Sequence, residues 1–394
     1  MTSPPQHPGR AGAAGSWPGT RYGDAAMLTP KLVAELGGGR ALLICGARSF
    51  EASGARRMLP GLRRAAQVTR WSDFTPNVTV GDLSRGLAVA ELARPDIVIG
   101  VGGGSSLDMA KLLCAFGRPH SEAELWESVR GRRWLTSRRT RLVLVPTTSG
   151  SGSQATHFAV LYAGDDKYSV AAPALRPDGV VLDPGLAVSA GPYQRAVSGL
   201  DAVSHAIESL WAVDATDESR RYARRALRAL LPTIEPFTSQ PTRASSRAMA
   251  IGSHLAGRAI DISKTTVAHA LSYGITRRYG VSHGHAVALT LGAFIEALAG
   301  ADPSRLRPPV SPGRHARAMR DVLAALGSSD PTAAGQRFDA LARRLGLPMR
   351  LRDVGIVTSG QVRELAAAVN FERLGNCPVH FSPDDLTRTC LTRL

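Results

Sequence analysis

An α/β half followed by an all-helical half is the fold class this sequence predicts. Three observations predict it. The 394 residues exceed what a single hydrophobic core usually serves, roughly 250–300 residues. Short apolar runs alternate with stretches of helical spacing up to about residue 185. Beyond that point the periodicity is helical only. The expected layout is a disordered tail over 1–26, rich in Pro, Gly, Ala and Ser, then an α/β domain over 27–185 and a helical domain over 186–394.

Each element follows from its local chemistry. Ala41–Cys45 (ALLIC) is a short apolar run ending at a glycine, which reads as a buried strand. Gln67–Arg70 is a weaker strand, and Val80–Glu91 has helical spacing. Ile97–Val101 (IVIGV) is a second buried strand, with a helix over Ser106–Phe116 after it. Leu142–Val145 (LVLV) is a third, stopped by Pro146, and Phe158–Tyr162 and Val180–Leu182 are further strands. Strands alternating with helices imply a parallel sheet covered on both faces. Helical spacing then covers Ala196–Val213, Asp217–Leu231, Ser245–Ile262, Val267–Tyr273, His285–Leu298, His315–Leu326, Gly335–Leu345 and Ser359–Val369.

Composition narrows the function classes. The chain is 44% hydrophobic and 20% charged, ordinary for a soluble protein. No apolar run approaches the roughly 18–20 residues of a membrane span. The start has no charged segment followed by an apolar one, so no secretory signal is expected. Cys45, Cys114, Cys377 and Cys390 are scattered, giving neither a disulfide framework nor a zinc ribbon. A reducing cytoplasm is the expected location. The formal charge of +16 first suggests nucleic acid, but only four of the 48 basic residues are lysine: Lys31, Lys111, Lys167 and Lys264. So strong an arginine bias, with so much alanine and glycine, reads as a solvated arginine surface rather than a nucleic-acid footprint. Where arginine is the default cation, a retained lysine marks a place where a compact ammonium matters.

Three motifs carry chemistry. Gly102-Gly103-Gly104-Ser105-Ser106-Leu107-Asp108-Met109-Ala110-Lys111 follows the IVIGV strand and opens a helix. Glycines there let backbone approach a phosphate, and the helix start offers free N–H groups. The bland alternative is a glycine turn, with Asp108 complementing the helix dipole. Pro146-Thr147-Thr148-Ser149-Gly150-Ser151-Gly152-Ser153-Gln154 follows the LVLV strand and can wrap a polar ligand. Two such loops at one sheet edge point to ligand binding there. Asp201 and His205 are four apart in GLDAVSHAIES, which places them one turn apart on one helix face. With His269 and His283 downstream they form an O/N ligand set suited to Fe(II) or Zn(II).

GGGSxxDxxK, PTTSGSGS, Asp183-Pro184, GLDAxxHAIE and His269-x13-His283-Gly284 occur in that order over roughly residues 22–390. In that combination the chain resembles the iron-containing, group III alcohol dehydrogenases. The resemblance implies the dehydroquinate synthase-like fold, with an N-terminal dinucleotide-binding α/β domain, an all-α C-terminal domain and a metal in the cleft between them. It implies Asp201, His205, His269 and His283 as ligands of Fe(II) or Zn(II). It implies Gly102, Gly103, Gly104 and Ser105 as the pyrophosphate loop, opening the helix of Asp108, and Asn77, Thr147, Thr148, Ser151 and Lys167 as cofactor contacts. The stretches ATHFAVLY, KYSVAAP, ISKTTVAHALSY and FERLGNCPV look like the branch that reduces phosphonoacetaldehyde to 2-hydroxyethylphosphonate in phosphonate antibiotic biosynthesis. The implied reaction is hydride transfer from a nicotinamide cofactor to an aldehyde polarised by the metal. The implied partners are a small anionic aldehyde and a second copy of the chain, with neither nucleic acid nor membrane. A plain alcohol or butanol dehydrogenase, or a maleylacetate reductase, is the rival reaction on the same scaffold.

Three departures from the family pattern matter. Gly46 stands where the family usually has an aspartate against the adenosine ribose, and Arg48 follows two residues on, so NADPH is favoured over NADH. Tyr273 replaces a histidine that many relatives carry, and it either donates a proton through its hydroxyl or lines the pocket. Lys264, in SKTT just before the helix of His269, is a candidate receptor for the phosphonate. His157 and His285 are weaker candidates for the same role.

Overall fold

The computed structural model describes residues 19–164, 166–369 and 374–394. Its strands are β1 (Thr20–Tyr22), β2 (Arg40–Cys45), β3 (Gln67–Trp71), β4 (Ile97–Gly102), β5 (Arg141–Pro146), β6 (Phe158–Ala163), β7 (Asp166–Ala171) and β8 (Gly179–Leu182). Six of them form a parallel sheet in the order β1-β8-β5-β4-β2-β3, and β6 pairs antiparallel with β7 as a separate hairpin. The helices of this half are α1 (Ala25–Glu35), α2 (Ala47–Ala52), α3 (Leu59–Ala65), α4 (Val80–Ala93), α5 (Gly104–Phe116) and α6 (Glu122–Arg130).

The central strands are apolar along nearly their whole length because both faces are covered. Leu42, Ile44, Val98, Leu142 and Leu144 pack with α4 and α5 on one side. Leu43, Cys45, Ile99, Val143 and Val145 pack with α1 and α3 on the other. From β2 the chain runs outward to β3, whereas from β4 it runs the opposite way to β5. The crevice beyond the carboxyl ends of β2 and β4 is therefore the switch point where open α/β sheets accept ligands. Gly46 follows one of these strands, and Gly102–Gly104 end the other and open α5.

The second half is helical: α7 (Pro192–Trp211), α8 (Asp217–Leu230), α9 (Ile234–Ser239), α10 (Arg243–Ser263), α11 (Val267–Tyr279), α12 (His283–Ala299), α13 (Pro312–Ala325), α14 (Pro331–Arg344), α15 (Ser359–Ala367) and α16 (Pro383–Leu391). Helix α7 is buried without interruption from Leu200 to Trp211. A helix apolar all round must be enclosed, and α8, α9, α10, α12 and α13 enclose it. Among the described residues no helix is long and apolar enough to cross a membrane.

The expected tail over 1–26 needs correction. Residues 1–18 lie outside the described residues, but Thr20–Tyr22 form an edge strand paired with Val180–Leu182, and α1 starts at Ala25. Asp24 caps α1 through Ala26 N–H, and Asp183 at the end of β8 accepts from Ala25 N–H at 2.9 Å. This order comes from partners about 160 residues away, and Pro30 inside α1 masks its helical signal.

The two halves meet through backbone. The loop after β5 turns at Gly152 (φ +64°) and lies directly on α10. A Cβ on Gly257 would sit 2.7 Å from Gly152 O and 2.8 Å from Gly152 Cα. One on Gly150 would sit 2.7 Å from Ser198 O, on α7. Gly257→Ala forces this overpacked contact apart and is expected to cost about 1–3 kcal/mol. Denaturant unfolding checks this; stability equal to wild type would mean the joint yields freely.

Candidate active site

Helix α7 presents Asp201 and His205 one turn apart, α11 brings His269 in its first turn, and α12 opens with His283. Asp201 Oδ1 lies 3.6 Å from His205 Nε2, 3.4 Å from His269 Nε2 and 3.8 Å from His283 Nε2. Donors about 2.1 Å from a tetrahedral ion would sit about 3.4 Å apart. The donor atoms of Asp201, His205 and His269 all lie within 4.8 Å of one another. Asp201 Oδ1 and His269 Nε2 are buried and have no hydrogen-bond partner. Buried polar atoms normally find one, so two facing ligand-type atoms left unsatisfied fit a cation between them.

Charge follows the same geometry. Burial resists ionisation of Asp201, but His205, His269 and His283 hold its carboxyl well below the usual range. Burial pushes His205 down to about 4 against the pull of Asp201, and it holds His283 well below its usual value. Burial also disfavours charge on His269, yet Glu208 and Asp201 hold its pKa up to about 10. His283 Nδ1 faces Ser272 Oγ at 3.3 Å, and that hydroxyl donates to His269 O at 2.7 Å. A Cβ on Gly284 would sit 2.0 Å from Val197 O, so the bare glycine lets α12 press on α7 and bring His283 to Asp201.

The two glycine- and hydroxyl-rich loops lie against each other at the sheet edge. Thr147 N–H donates to Gly102 O at 2.9 Å. A Cβ on Gly103 would touch Thr148 at 3.5 Å, and one on Gly104 would touch Ser151 at 3.2 Å. Gly103 caps α5 with no side chain over the helix start. Asn77, at φ +63°, donates its N–H to Ser105 Oγ at 3.1 Å and borders the same loop. Asp108 is turned elsewhere: it accepts from Ser153 Oγ at 2.6 Å and from Val160 N–H at 3.0 Å. Both its oxygens clamp the second loop to β6, which corrects its reading as a cofactor contact. Gly46 caps α2 at φ −69°, a conformation open to any residue, and Arg48 is exposed beside it.

The remaining candidates divide. The Lys167 ammonium stands 3.7 Å from the centre of the Tyr273 ring, which lies parallel to His283 at 5.9 Å. Its charge reaches His205, His283 and Asp108. Lys264 is not brought to the ligand cluster. It ends α10 at φ +56°, its side chain is 57% exposed, and its ammonium lies 3.9 Å from Asp214. Its ammonium faces Asp214 rather than Asp201, His205, His269 or His283. His157 joins the halves instead, through N–H and Nδ1 contacts of 2.7 and 2.6 Å to Asp261, where Arg176 also points. His285 has both nitrogens engaged, Nε2 with Pro348 O at 2.7 Å and Nδ1 with Tyr193 at 3.4 Å. Two residues escaped sequence reasoning. Glu208 is fully buried and meets His269 Nδ1 at 2.5 Å; its signal was its place seven residues after Asp201 on the same helix. Arg70 on β3 contacts Cys45 Sγ at 3.2 Å and Glu51 at 3.3 Å, beside the end of β2.

Comparison with known proteins agrees with this geometry. The chain is 32% identical over 310 residues to a phosphonoacetaldehyde reductase of Streptomyces viridochromogenes, covering 76% of this chain and 75% of that one. It is 29% identical over 313 residues to long-chain-alcohol dehydrogenase 1 of Geobacillus thermodenitrificans, covering 77% and 76%. Among solved structures, a sulfoacetaldehyde reductase from Bifidobacterium kashiwanohense in complex with NAD+ has the same fold, with a TM-score of 0.84 at 24% identity over 98% of this chain and 99% of that one. An alcohol dehydrogenase from Oenococcus oeni also reaches 0.84, at 18% identity over 95% and 98%. Residues 20–184 match the iron-containing alcohol dehydrogenases and 195–390 the C-terminal part of that family. The chain belongs to the iron-containing alcohol dehydrogenase family and is an oxidoreductase.

Proposed function

We propose that the protein reduces a small anionic aldehyde, phosphonoacetaldehyde, to its alcohol. The observation that carries this reading is one buried carboxylate oxygen facing three imidazoles, in a chain whose other half carries two adjoining phosphate-cradling loops. Asp201, His205, His269 and His283 would hold Fe(II) or Zn(II). Gly102–Ser105, Thr147, Thr148, Ser151 and Asn77 would hold the nicotinamide cofactor. When bound, the ion supplies Lewis-acid polarisation and the nicotinamide supplies the hydride. The residues of this chain orient and enclose. The Tyr273 ring packs against both His283 and the Lys167 ammonium, and on this reading it would line the substrate pocket. Lys167, expected from the sequence as a cofactor contact, is assigned to the substrate on this reading, because it places a positive charge beside the proposed ligands, where the anionic end of a short aldehyde would lie. The similarity to a phosphonoacetaldehyde reductase supports the substrate. A neutral aldehyde is the second reading, favoured by Lys264 turning toward Asp214.

Anaerobic reconstitution with Fe(II) or Zn(II), followed by turnover of phosphonoacetaldehyde, butyraldehyde, succinic semialdehyde and maleylacetate, tests both readings. His283→Ala should remove bound metal and turnover while leaving the fold, because catalytic ions are held by few ligands. Full activity of a metal-depleted His283→Ala protein would refute the ligand set.

NADPH is the proposed donor, because Gly46 offers no carboxylate and Arg48 and Arg70 flank it. Gly46→Asp, accommodated by rotation of Ser49, is expected to shift preference toward NADH by about 1–4 kcal/mol. An unchanged ratio of kcat/KM for the two cofactors would place Gly46 away from the ribose.

The two lysines give opposite expectations. An exposed ion pair such as Lys264 with Asp214 contributes about 0–1 kcal/mol, so Lys264→Ala should barely move the ratio of kcat/KM for phosphonoacetaldehyde over butyraldehyde. Lys167→Met should lower that ratio roughly 10-fold or more, the worth of one charge-assisted contact. The reverse pattern would return the anion receptor to Lys264.

A further inference from the structure

We propose that Glu208 is a positioning residue for the metal, setting both the orientation and the proton location of His269. This rests on the reading of Asp201, His205, His269 and His283 as metal ligands. Glu208 is fully buried on α7, one turn past His205. Its Oε1 accepts from Thr266 Oγ1 at 2.8 Å and Ala268 N–H at 3.0 Å. Its Oε2 accepts from Thr266 N–H at 3.0 Å and meets His269 Nδ1 at 2.5 Å. Two of these four donors are backbone N–H groups at the start of α11. Thr266, the N-cap of that helix, does not cap it with its own side chain; its hydroxyl is spent on Glu208 and on Trp211 Nε1 at 2.8 Å. A carboxylate from α7 thus serves as the cap of α11, and the same group fixes the ligand one residue beyond Ala268.

The consequence for His269 is specific. With a proton on Nδ1 toward Glu208, the Nε2 lone pair is free to face Asp201 Oδ1 at 3.4 Å, the position an ion would share. With the proton on Nε2 alone, Nδ1 would present a lone pair to a carboxylate oxygen, and Nε2 could not bind a cation. Glutamine cannot take over. Each oxygen of Glu208 meets one backbone N–H, so the NH2 of an amide faces a donor whichever way it is turned. Placed at the Oε2 position, it also presents a donor to His269 Nδ1 and drives the proton to Nε2. Aspartate is one methylene too short. An acceptor-only side chain of this length is what the four donors require.

The test is metal uptake by the apo-protein, with Zn(II) measured against a chromophoric chelator and Co(II) followed by its visible absorption. Three proteins are compared: wild type, Glu208→Gln and Thr266→Val. Thr266→Val damages the same buried network by removing the hydroxyl between Glu208 and Trp211, but leaves Glu208 on His269. Glu208→Gln should weaken Zn(II) binding about 10–100-fold and change the Co(II) bands, while Thr266→Val, at a comparable loss of Tm, should stay within about threefold. Equal weakening in both variants, or wild-type binding in Glu208→Gln, overturns the positioning role. Should Glu208→Gln fail to fold, long-range 1H–15N NMR of Zn(II)-loaded wild type decides. A protonated Nδ1 and a metal-bound Nε2 on His269 are expected, and the reverse arrangement refutes the assignment. A wild-type protein that takes up no stoichiometric metal overturns the ligand reading itself, an outcome distinct from a wild type that binds and a Glu208→Gln that binds equally well.

Discussion

A carboxylate buried at Asp201 is the constraint on which the helical half depends. Removing an ionised group from water is costly unless opposite charge or donors meet it. Asp201 and Glu208 are two such groups, seven residues apart on a helix that is enclosed on every side. Their compensation has to come from neighbouring helices, which fixes where those helices go. Helix α11 arrives with its N-terminal N–H groups on Glu208 and His269 between the two carboxylates. Helix α12 arrives with His283 and is let in by Gly284, whose missing side chain makes room for the Val197 carbonyl. The core of apolar side chains supplies the bulk of the burial, and the two acids add directional contacts that tie the start of α11 to α7.

The α/β half is tied to this centre through its loops rather than through its sheet. Asp108 stands in the first turns of α5 and reaches across to Ser153 and Val160. Lys111, one turn on and fully buried, bonds Thr156 Oγ1 and Phe158 O, both at 2.8 Å. The helix that opens at the glycine loop therefore holds the second loop in place, and the second loop rests on α7 and α10 through Gly150 and Gly152. His157 with Asp261 completes the joint. The two glycine- and hydroxyl-rich loops and the Asp201–His205–His269–His283 cluster are thereby held in one packed unit.

What was legible in the sequence was what is local. Asp201 and His205 share a face because they are four residues apart. The glycines after the IVIGV strand mark a turn into α5, and at Gly102 the φ of +151° favours glycine. Apolar periodicity placed β2, β3, α4, β4, α5, β5, β6 and β8 in order, but not β7, which turns β6 into a separate antiparallel hairpin, nor the short helices α2, α3, α6 and α9. What was hidden depends on distant partners. Strand β1 exists by pairing with β8, and α1 is anchored by Asp183, so residues 20–26 show no pattern of their own. The direction of Lys264 is set by its φ of +56° at the end of α10, which sends its side chain to Asp214. Asp108 looked like a helix-dipole partner, and its two acceptors come from a loop some fifty residues on. Glu208 sat in plain view beside His205, but its meaning lies in the N–H groups of α11.

The same distinction governs charge. Forty-four of the 48 basic residues behind the net +16 are arginines, yet a lysine, Lys167, brings its charge to bear on His205 and His283. Lys167 is carried there by the β6–β7 hairpin, which is itself held by a parallel bridge from Tyr162 to Thr79 at the head of α4. Its ammonium rests on the face of the Tyr273 ring, which attracts a cation, whereas an imidazole there would repel it once protonated. On the proposed reading, a divalent ion offsets the charges of Asp201 and Glu208, and Lys167 leaves a surplus of one. A pocket left positive after its ligands are counted favours an anionic substrate by its field before any single contact is made. Tyrosine at position 273 fits that economy: it accepts the lysine on its face, keeps a flat wall against His283, and adds no further positive charge to the site.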